Sequence, residues 1–500
     1  MKRIKIVCTI GPGSVDPKSL IALRDAGMSV ARLNGSHANL DWHRQAIRTI
    51  REFIPETPIL LDIPGKKIRT TQLAHEPVFA CGDSLILTTD TSHDGTEKVP
   101  VNYSNLHRNL NCGDVILADD GTLKFLVNRV EGNDIHVIAE VDGCLQSHKG
   151  INVPFVKLDM PQVTPRDEKM IAFAKDAGVD FIGLSFVESG SHVNAIRTLI
   201  DASSPRIIAK IENQQGIENA EEITAAADAI MIDRGDLSVE TNLQSVALNQ
   251  KRIIQAARKA SRPVIIATEM LHTMIDNPYP TKAEVSDITN AVLDGGTATM
   301  LSGETAIGKF AVEAVKLMRE VVDTTDEHIQ AQSDSEATHY GENASEAFGE
   351  IIPQLARSLP ITKIVAVTRY GNAARLIASH FPKQPILAVS DDATAARSFN
   401  LIGGTTGIQF NDPFSRTSGD HILEVLHFLW RRGDLKEEDF VLVAGIIYPH
   451  DGARMNAIQT HSISTLAEAL DWRHQRSALL ESKFSTSKTD KKVFLSYELD

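Results

Sequence analysis

A short apolar run, a polar group and then a helical repeat recur eight times in this chain. The runs fall at residues 4–10, 30–33, 59–63, 180–186, 207–211, 229–232, 264–267 and 297–301, too short for helices and of the buried-strand type. Helical spacing follows at residues 19–26, 42–53, 167–177, 193–200, 219–227, 248–260, 283–293 and 311–322. Eight β–α units are the count of a (β/α)8 TIM barrel. A doubly wound open sheet alternates in the same way, so the count favours the barrel and leaves the open sheet standing. The polar punctuation comes after each run, where a barrel's active face belongs: Gly11-Pro12-Gly13, Asn34-Gly35-Ser36-His37, Asp62, Ser185, Lys210-Ile211-Glu212, Arg234-Gly235-Asp236, Thr268-Glu269 and Ser302-Gly303-Glu304.

The rhythm breaks between the third and fourth units. Residues 84–88, 115–118, 123–130 and 135–141 read as strands, with hairpin turns at Asp119-Asp120-Gly121 and Glu131-Gly132-Asn133-Asp134. This predicts an all-β lid domain over residues 70–158, inserted into a barrel made of residues 1–69 and 159–335. A polar stretch after Val322 separates a C-terminal α/β domain, residues 336–472, with strands expected at 363–368, 385–389, 406–410 and 440–444 and helices such as 374–380 and 421–430. Residues 473–500 read as a polar, mobile tail.

Chemistry concentrates in residues 206–238. Lys210 and Glu212 are two apart and share one face of a strand. If the next strand is a parallel neighbour, Glu212 and Asp236 both emerge at the C-terminal ends. Two carboxylates there can hold Mg²⁺ while leaving its other positions to substrate phosphate and water. Lys210 beside them would neutralise charge developing on a transferring phosphoryl group or an enolate. The plainer alternative is a set of solvated strand-end salt bridges. Three charged groups capping two buried strands weigh against it.

A net charge of −14 argues against a nucleic-acid surface or an anionic membrane, so an anionic substrate needs local basic groups or a metal. Cys8, Cys81, Cys112 and Cys144 form no CxxC pair, as expected of free thiols in a reducing cytosol. The N-terminal apolar stretch is too short for a signal peptide, and no run reaches the length of a membrane span, so a cytoplasmic protein is expected.

From residue 2 to about 465 the chain resembles the pyruvate kinases. The motifs, in order, are CTIGP from Cys8, ARLNGSH from Ala31, IRT from Ile68, KGINVP from Lys149, LSFV from Leu184, AKIENQQGIEN from Ala209, RGDL from Arg234, PVIIATEML from Pro263, AEVSDITNAVLDGG from Ala283 and MLSGETA from Met300. The resemblance implies a barrel with a β lid after its third strand and a C-terminal α/β domain. It also implies phosphoryl transfer from phosphoenolpyruvate to ADP, giving pyruvate and ATP, with Mg²⁺ or Mn²⁺. Glu212 and Asp236 would be the metal ligands, Lys210 the group on the transferring phosphoryl and Arg32 the clamp on the substrate phosphate. Thr268, with the backbone at Gly235 and Asp236, would serve the substrate carboxylate and proton delivery. Asn34, Ser36, His37, Arg69 and Arg166 would hold the nucleotide, and a homotetramer is expected.

Several positions depart from the family pattern. Residues 62–70 read DIPGKKIRT where the family has a form of DTKGPEIRT, so Lys67 stands in place of Glu. A Lys there goes with independence from K⁺, since a tethered ammonium can replace a bound monovalent cation. Asn34, Ser36, Asp62 and the Ile63 carbonyl still match the K⁺ ligands. Asp233 replaces Ala, Ser238 replaces Gly, and Glu269 replaces Gln. The added carboxylate of Glu269 is expected to raise neighbouring pKa values or weaken anion binding. Arg166 replaces a Lys. In the C-terminal domain residues 368–375 lack most hydroxyls of the family's effector loop, TxSGRTAR, which argues against sugar-phosphate activation there. Two other readings stay open: a metal-dependent aldolase or lyase acting on pyruvate or phosphoenolpyruvate, and a binding protein that has lost catalysis.

Overall fold

A computed structural model of the protein describes residues 3–200, 204–332, 344–415, 419–446 and 455–473. It divides into two compact units, residues 2–334 with 400–403, and residues 335–399 with 404–500.

In the first unit eight parallel strands close on themselves. They are β1 (Lys5–Thr9), β2 (Val30–Asn34), β3 (Ile59–Ile63), β4 (Phe181–Leu184), β5 (Arg206–Ile211), β6 (Ala229–Asp233), β7 (Val264–Ala267) and β8 (Ala298–Leu301). β1 pairs with both β2 and β8, which excludes the open sheet. Every strand residue except Asn34 is buried. Alternation sorts them. Val7, Val30, Leu60, Ile208, Met231 and Ile265 fill the barrel interior, whereas Ile6, Ala31, Leu61, Ile207, Ile230 and Ile266 face the helices. Two positions further along the inward set come Thr9, Arg32, Asp62, Lys210 and Asp233, so period two carries polar side chains into the barrel's C-terminal mouth.

The helices start on local signals. Asp16 caps Pro17–Ala26, and Thr164 with Asp167 and Thr281 with Glu284 form capping boxes on Pro165–Asp176 and Lys282–Leu293. Two expectations need correction. The helix expected at 219–227 is there as Ala220–Ala226, but a further short helix, Gln214–Glu218, which the pattern did not set apart, precedes it and ends at Asn219. The helix expected to stop at Val322 runs on as Ala311–Gln332. Met318, Val322, Thr325 and Ile329 lie three and four apart, and Thr325 Oγ1 donates 2.7 Å to the Val321 carbonyl while its methyl stays buried. A threonine read as polar is part of the apolar stripe.

The inserted region is a seven-stranded sheet in the order Ile68–Arg69, Gly150–Asn152, Val115–Ala118, Leu123–Glu131, Asp134–Ala139, Ser84–Thr88, Val99–Pro100. Its core centres on Phe79, Phe125, Ile116 and Ile135. Arg69 pairs with Gly150, so the chain leaving β3 enters this sheet at once and positions Lys67 and Arg69. On the mouth side, Asn152 Nδ2 donates 2.6 Å to Glu240 Oε1 on the helix Arg234–Glu240 after β6.

The second unit is a five-stranded sheet, Thr405–Gln409, Ile386–Ser390, Lys363–Val367, Phe440–Gly445 and an antiparallel edge strand Ala457–Ser462 that the sequence pattern did not reveal. In the stretch 368–375, whose last four residues open the helix Asn372–Ala378, Thr368 Oγ1 accepts from Gly371 N at 3.1 Å, and Arg369 is paired with Asp391. Among the described residues no helix is long and apolar enough to cross a membrane, and all four cysteines are free. The tail expected at 473–500 lies, beyond Arg473, outside the described residues.

Candidate active site at the barrel mouth

Lys210, fully inside the mouth, gathers the site. Its Nζ lies 2.7 Å from Glu212 Oε1, 3.2 Å from Asp62 Oδ2 and 3.4 Å from Asp233 Oδ2, and donates to Ser185 Oγ at 3.2 Å. Burial alone would lower the ammonium's pKa. Asp62, Glu212 and Asp233 overcome it, and the group is held well above the ordinary lysine value. Ser185 is itself oriented by donating 2.9 Å to the Ile63 carbonyl.

Arg32 is clamped from two sides. Its Nη2 and Nε donate to Asp62 Oδ2 at 2.7 and 3.1 Å, and Nη1 donates to Thr9 Oγ1 at 2.9 Å. A buried guanidinium fixed in this way keeps its orientation, which suits bidentate recognition of a phosphate. Thr9 was not foreseen as a site residue. Its signal was there: it shares strand parity with the inward-facing Val7.

Among the described residues, Glu212, Asp233 and Asp236 are the group whose carboxylate oxygens lie within 4.8 Å of one another in a metal-binding pattern. Glu212 Oε2 accepts from Phe186 N at 2.6 Å, while Oε1 meets the Lys210 ammonium outside hydrogen-bond geometry and has no other partner. Burial pushes the Glu212 carboxyl up to about 8, helped by Asp236 and Asp233 and opposed by Lys210. Asp236 is raised by burial and by Asp233. For Asp233 itself burial is outweighed by Lys210, Arg32 and Lys67, which hold it below the usual carboxylate range. Three hard oxygen donors in a buried cleft fit Mg²⁺.

Two sequence expectations change here. Asp236 does not cap a strand; β6 runs to Asp233, and Asp236 lies in the first turn of the helix after it. The extra carboxylate that raises its neighbours is Asp233, not Glu269, whose side chain is exposed while Asp233 acts on both Glu212 and Asp236.

Thr268 follows the inward-facing Ala267, so simple alternation would turn it away. Successive left-handed residues, Thr268 at φ 69° and Glu269 at φ 55°, break the alternation. Thr268 Oγ1 then accepts from Gly235 N at 2.9 Å and sits 3.1 Å from Asp233 Oδ1. Such backbone strain on a β-branched residue persists where the surroundings impose it. Arg234 contributes by donating to the Thr268 carbonyl at 2.7 Å and pairing with Asp287.

Lys67 points inward. Its Nζ is 2.6 Å from Asp236 Oδ1 and 5.9 Å from the centre of the Phe186 ring. Burial lowers its pKa and Asp236 more than restores it. At the rim, Asn34 Oδ1 accepts from Ser36 N at 3.1 Å. His37 is lowered by burial and then by Arg69, Arg32 and Lys67, and Arg69 is lowered by burial, opposed by Asp236 and Asp120, with Arg166 adding a little. Arg69, Arg32 and Lys67 thus lie within electrostatic reach of His37. Glu304, by contrast, bonds Leu271 N and Ser302 N and so ties loops together.

A closed (β/α)8 barrel whose C-terminal mouth gathers a carboxylate cluster, a buried lysine and a buried arginine fits an enzyme that handles an anionic substrate. The family model for the pyruvate kinase barrel domain matches residues 1–315, and that for the pyruvate kinase alpha/beta domain matches residues 346–459. The pyruvate kinase of Geobacillus stearothermophilus is 36% identical over 477 residues, 93% of this chain and 81% of that protein. That of Thermococcus litoralis is 36% identical over 454 residues, 88% and 94%, and that of Mycobacterium intracellulare 34% over 469 residues, 92% and 98%. The chain belongs to the pyruvate kinase family, and its activity is that of the family: phosphoenolpyruvate and ADP are converted to pyruvate and ATP. Neither the lyase nor the non-catalytic reading is favoured.

Proposed function

We propose that this pyruvate kinase works without K⁺, with Lys67 as its built-in monovalent cation, and that the mouth residues divide the chemistry as follows. Arg32, held by Asp62 and Thr9, binds the phosphate of phosphoenolpyruvate. Lys210 neutralises the phosphoryl group in flight, where positioning and charge do most of the catalytic work. Glu212 and Asp236 are the Mg²⁺ ligands; the ion, when bound, supplies further positive charge to phosphoryl and enolate oxygens. Gly235 and Asp236 border the substrate carboxylate, and Thr268 delivers the proton to the enolate. Asn34, Ser36, His37, Arg69 and Arg166 receive the nucleotide.

The observation that carries the K⁺ reading is the 2.6 Å ion pair of Lys67 with Asp236. It supports a fixed charge inside the site rather than a lysine turned to solvent. Of the groups matching the K⁺ pocket, Asp62 Oδ2 is taken by Arg32 and Lys210 and the Ile63 carbonyl accepts from Ser185, while Asp62 Oδ1 has no partner, so the pocket is not erased. A lactate-dehydrogenase-coupled assay in potassium-free buffer tests it, with tetramethylammonium and KCl arms at matched ionic strength to equalise screening. Equal rates are expected in both arms; an enzyme inert without K⁺ and restored by it would overturn the reading. A cytoplasmic homotetramer is the assembly we propose, checked by sedimentation equilibrium.

A further inference from the structure

We infer that Asp233 is a third carboxylate of the divalent-ion site and supplies the oxygen that Lys67 has taken from Asp236. The inference rests on the proposed assignment of Glu212 and Asp236 as metal ligands. Lys67 Nζ sits on Asp236 Oδ1 at 2.6 Å, so half of that carboxylate is committed to an ammonium. Lys210 likewise leans on Glu212 Oε1. Two carboxylates, each shared with a lysine, make a weak cage for a dication, since affinity for hard cations follows the charge and number of oxygen donors.

Asp233 repairs the deficit. It ends β6 on the inward face, two residues beyond Met231, and an oxygen of it lies within 4.8 Å of ligand oxygens of both Glu212 and Asp236. Its Oδ1 receives only the Thr268 hydroxyl at 3.1 Å, and that hydroxyl also reaches the Ala267 carbonyl at 2.6 Å, the better acceptor by distance. Its Oδ2 faces Lys210 at 3.4 Å, beyond ordinary hydrogen-bond length. Both oxygens can therefore turn to an ion without breaking a short bond. Asp233 also sits among cations, with Lys210 facing its Oδ2 and Lys67 held on the neighbouring Asp236, so it brings a carboxylate to the place where Lys67 has occupied one. Lys67 and Asp233 thus form a compensating pair, although no hydrogen bond joins them.

The test is Mn²⁺ binding alone, read from the loss of the free-ion electron paramagnetic resonance signal on the intact protein without substrates. Asp233→Asn keeps an acceptor for Thr268 and removes the charge; Asp233→Ala removes both. Each is expected to weaken Mn²⁺ binding about ten-fold or more, as is Glu212→Gln. In a Lys67→Met background, where Asp236 is released, the loss from Asp233→Asn should shrink to a few-fold. Normal Mn²⁺ binding by the Asp233 variants, with Glu212→Gln impaired, overturns this inference and leaves the metal assignment intact. Normal binding by all of them overturns both. If Asp233→Ala does not fold, Asp233→Asn decides. A loss undiminished in the Lys67→Met background overturns the compensation between the two residues.

Discussion

Lys67 Nζ lies 2.6 Å from Asp236 Oδ1, joining the loop that leads into the β lid to the helix that follows β6. A cation on one connection is thereby pinned to a carboxylate on another, the position the proposed function gives to a built-in monovalent charge. Lys67→Glu should reverse this. Asn34, Ser36, Asp62 and the Ile63 carbonyl remain as oxygen ligands, so the variant's turnover is expected to become dependent on KCl and to be low in tetramethylammonium at equal ionic strength. A variant active to the same degree in both salts would show that the charge at position 67 does not govern monovalent-ion use.

Lys210 touches three carboxylates, so its removal leaves them unbalanced as well as leaving the phosphoryl group unneutralised. Lys210→Met is expected to lower kcat by about 10²-fold or more, while the KM for phosphoenolpyruvate moves much less. Steady-state kinetics decide: a rise in KM with kcat retained would assign Lys210 to ground-state binding.

Glu212→Gln and Asp236→Asn each exchange a carboxylate proposed as a metal ligand for a neutral amide. The Mg²⁺ concentration for half-maximal rate should rise about ten-fold in each. Unshifted Mg²⁺ titrations in both variants would reject these ligands.

Glu240, at the junction with the lid sheet, gives a stability signature. Burial pushes its carboxyl from the ordinary 4.5 up to about 7, Asp236 adds to the rise, and the bond from Asn152 opposes it. A folded value above the unfolded one means that the protonated acid is favoured by folding. Its contribution is whole below the unfolded pKa and is lost as pH rises through about 7. The shift corresponds to about 3 kcal/mol. Thermal melts of wild type and Glu240→Gln should diverge as pH is raised, wild type losing stability relative to the variant. Parallel curves across this range would remove Glu240 from the account.

Much of this molecule was written into local pattern. Short apolar runs followed by helical repeats are dictated by period and length, and caps such as Asp16, Thr164 and Thr281 act within a few residues of themselves. Lys210 and Glu212 share a face because alternation in a strand is a local property, and the ordered motifs named the family. What local pattern could not decide is which of the polar groups face one another. Lateral pairing of neighbouring parallel strands, and not the alternation within one strand, brings Arg32 from β2 onto Asp62 from β3 and places Asp233, ending β6, beside Glu212, which follows β5. Thr268 enters the site only because two left-handed residues reverse the face that alternation assigns it. Asp233 reads in sequence as one departure and Lys67 as another, 166 residues away along the chain. Their shared effect on one cleft exists only once parallel strands from distant segments lie side by side, since Coulombic influence follows distance in space and not separation in sequence.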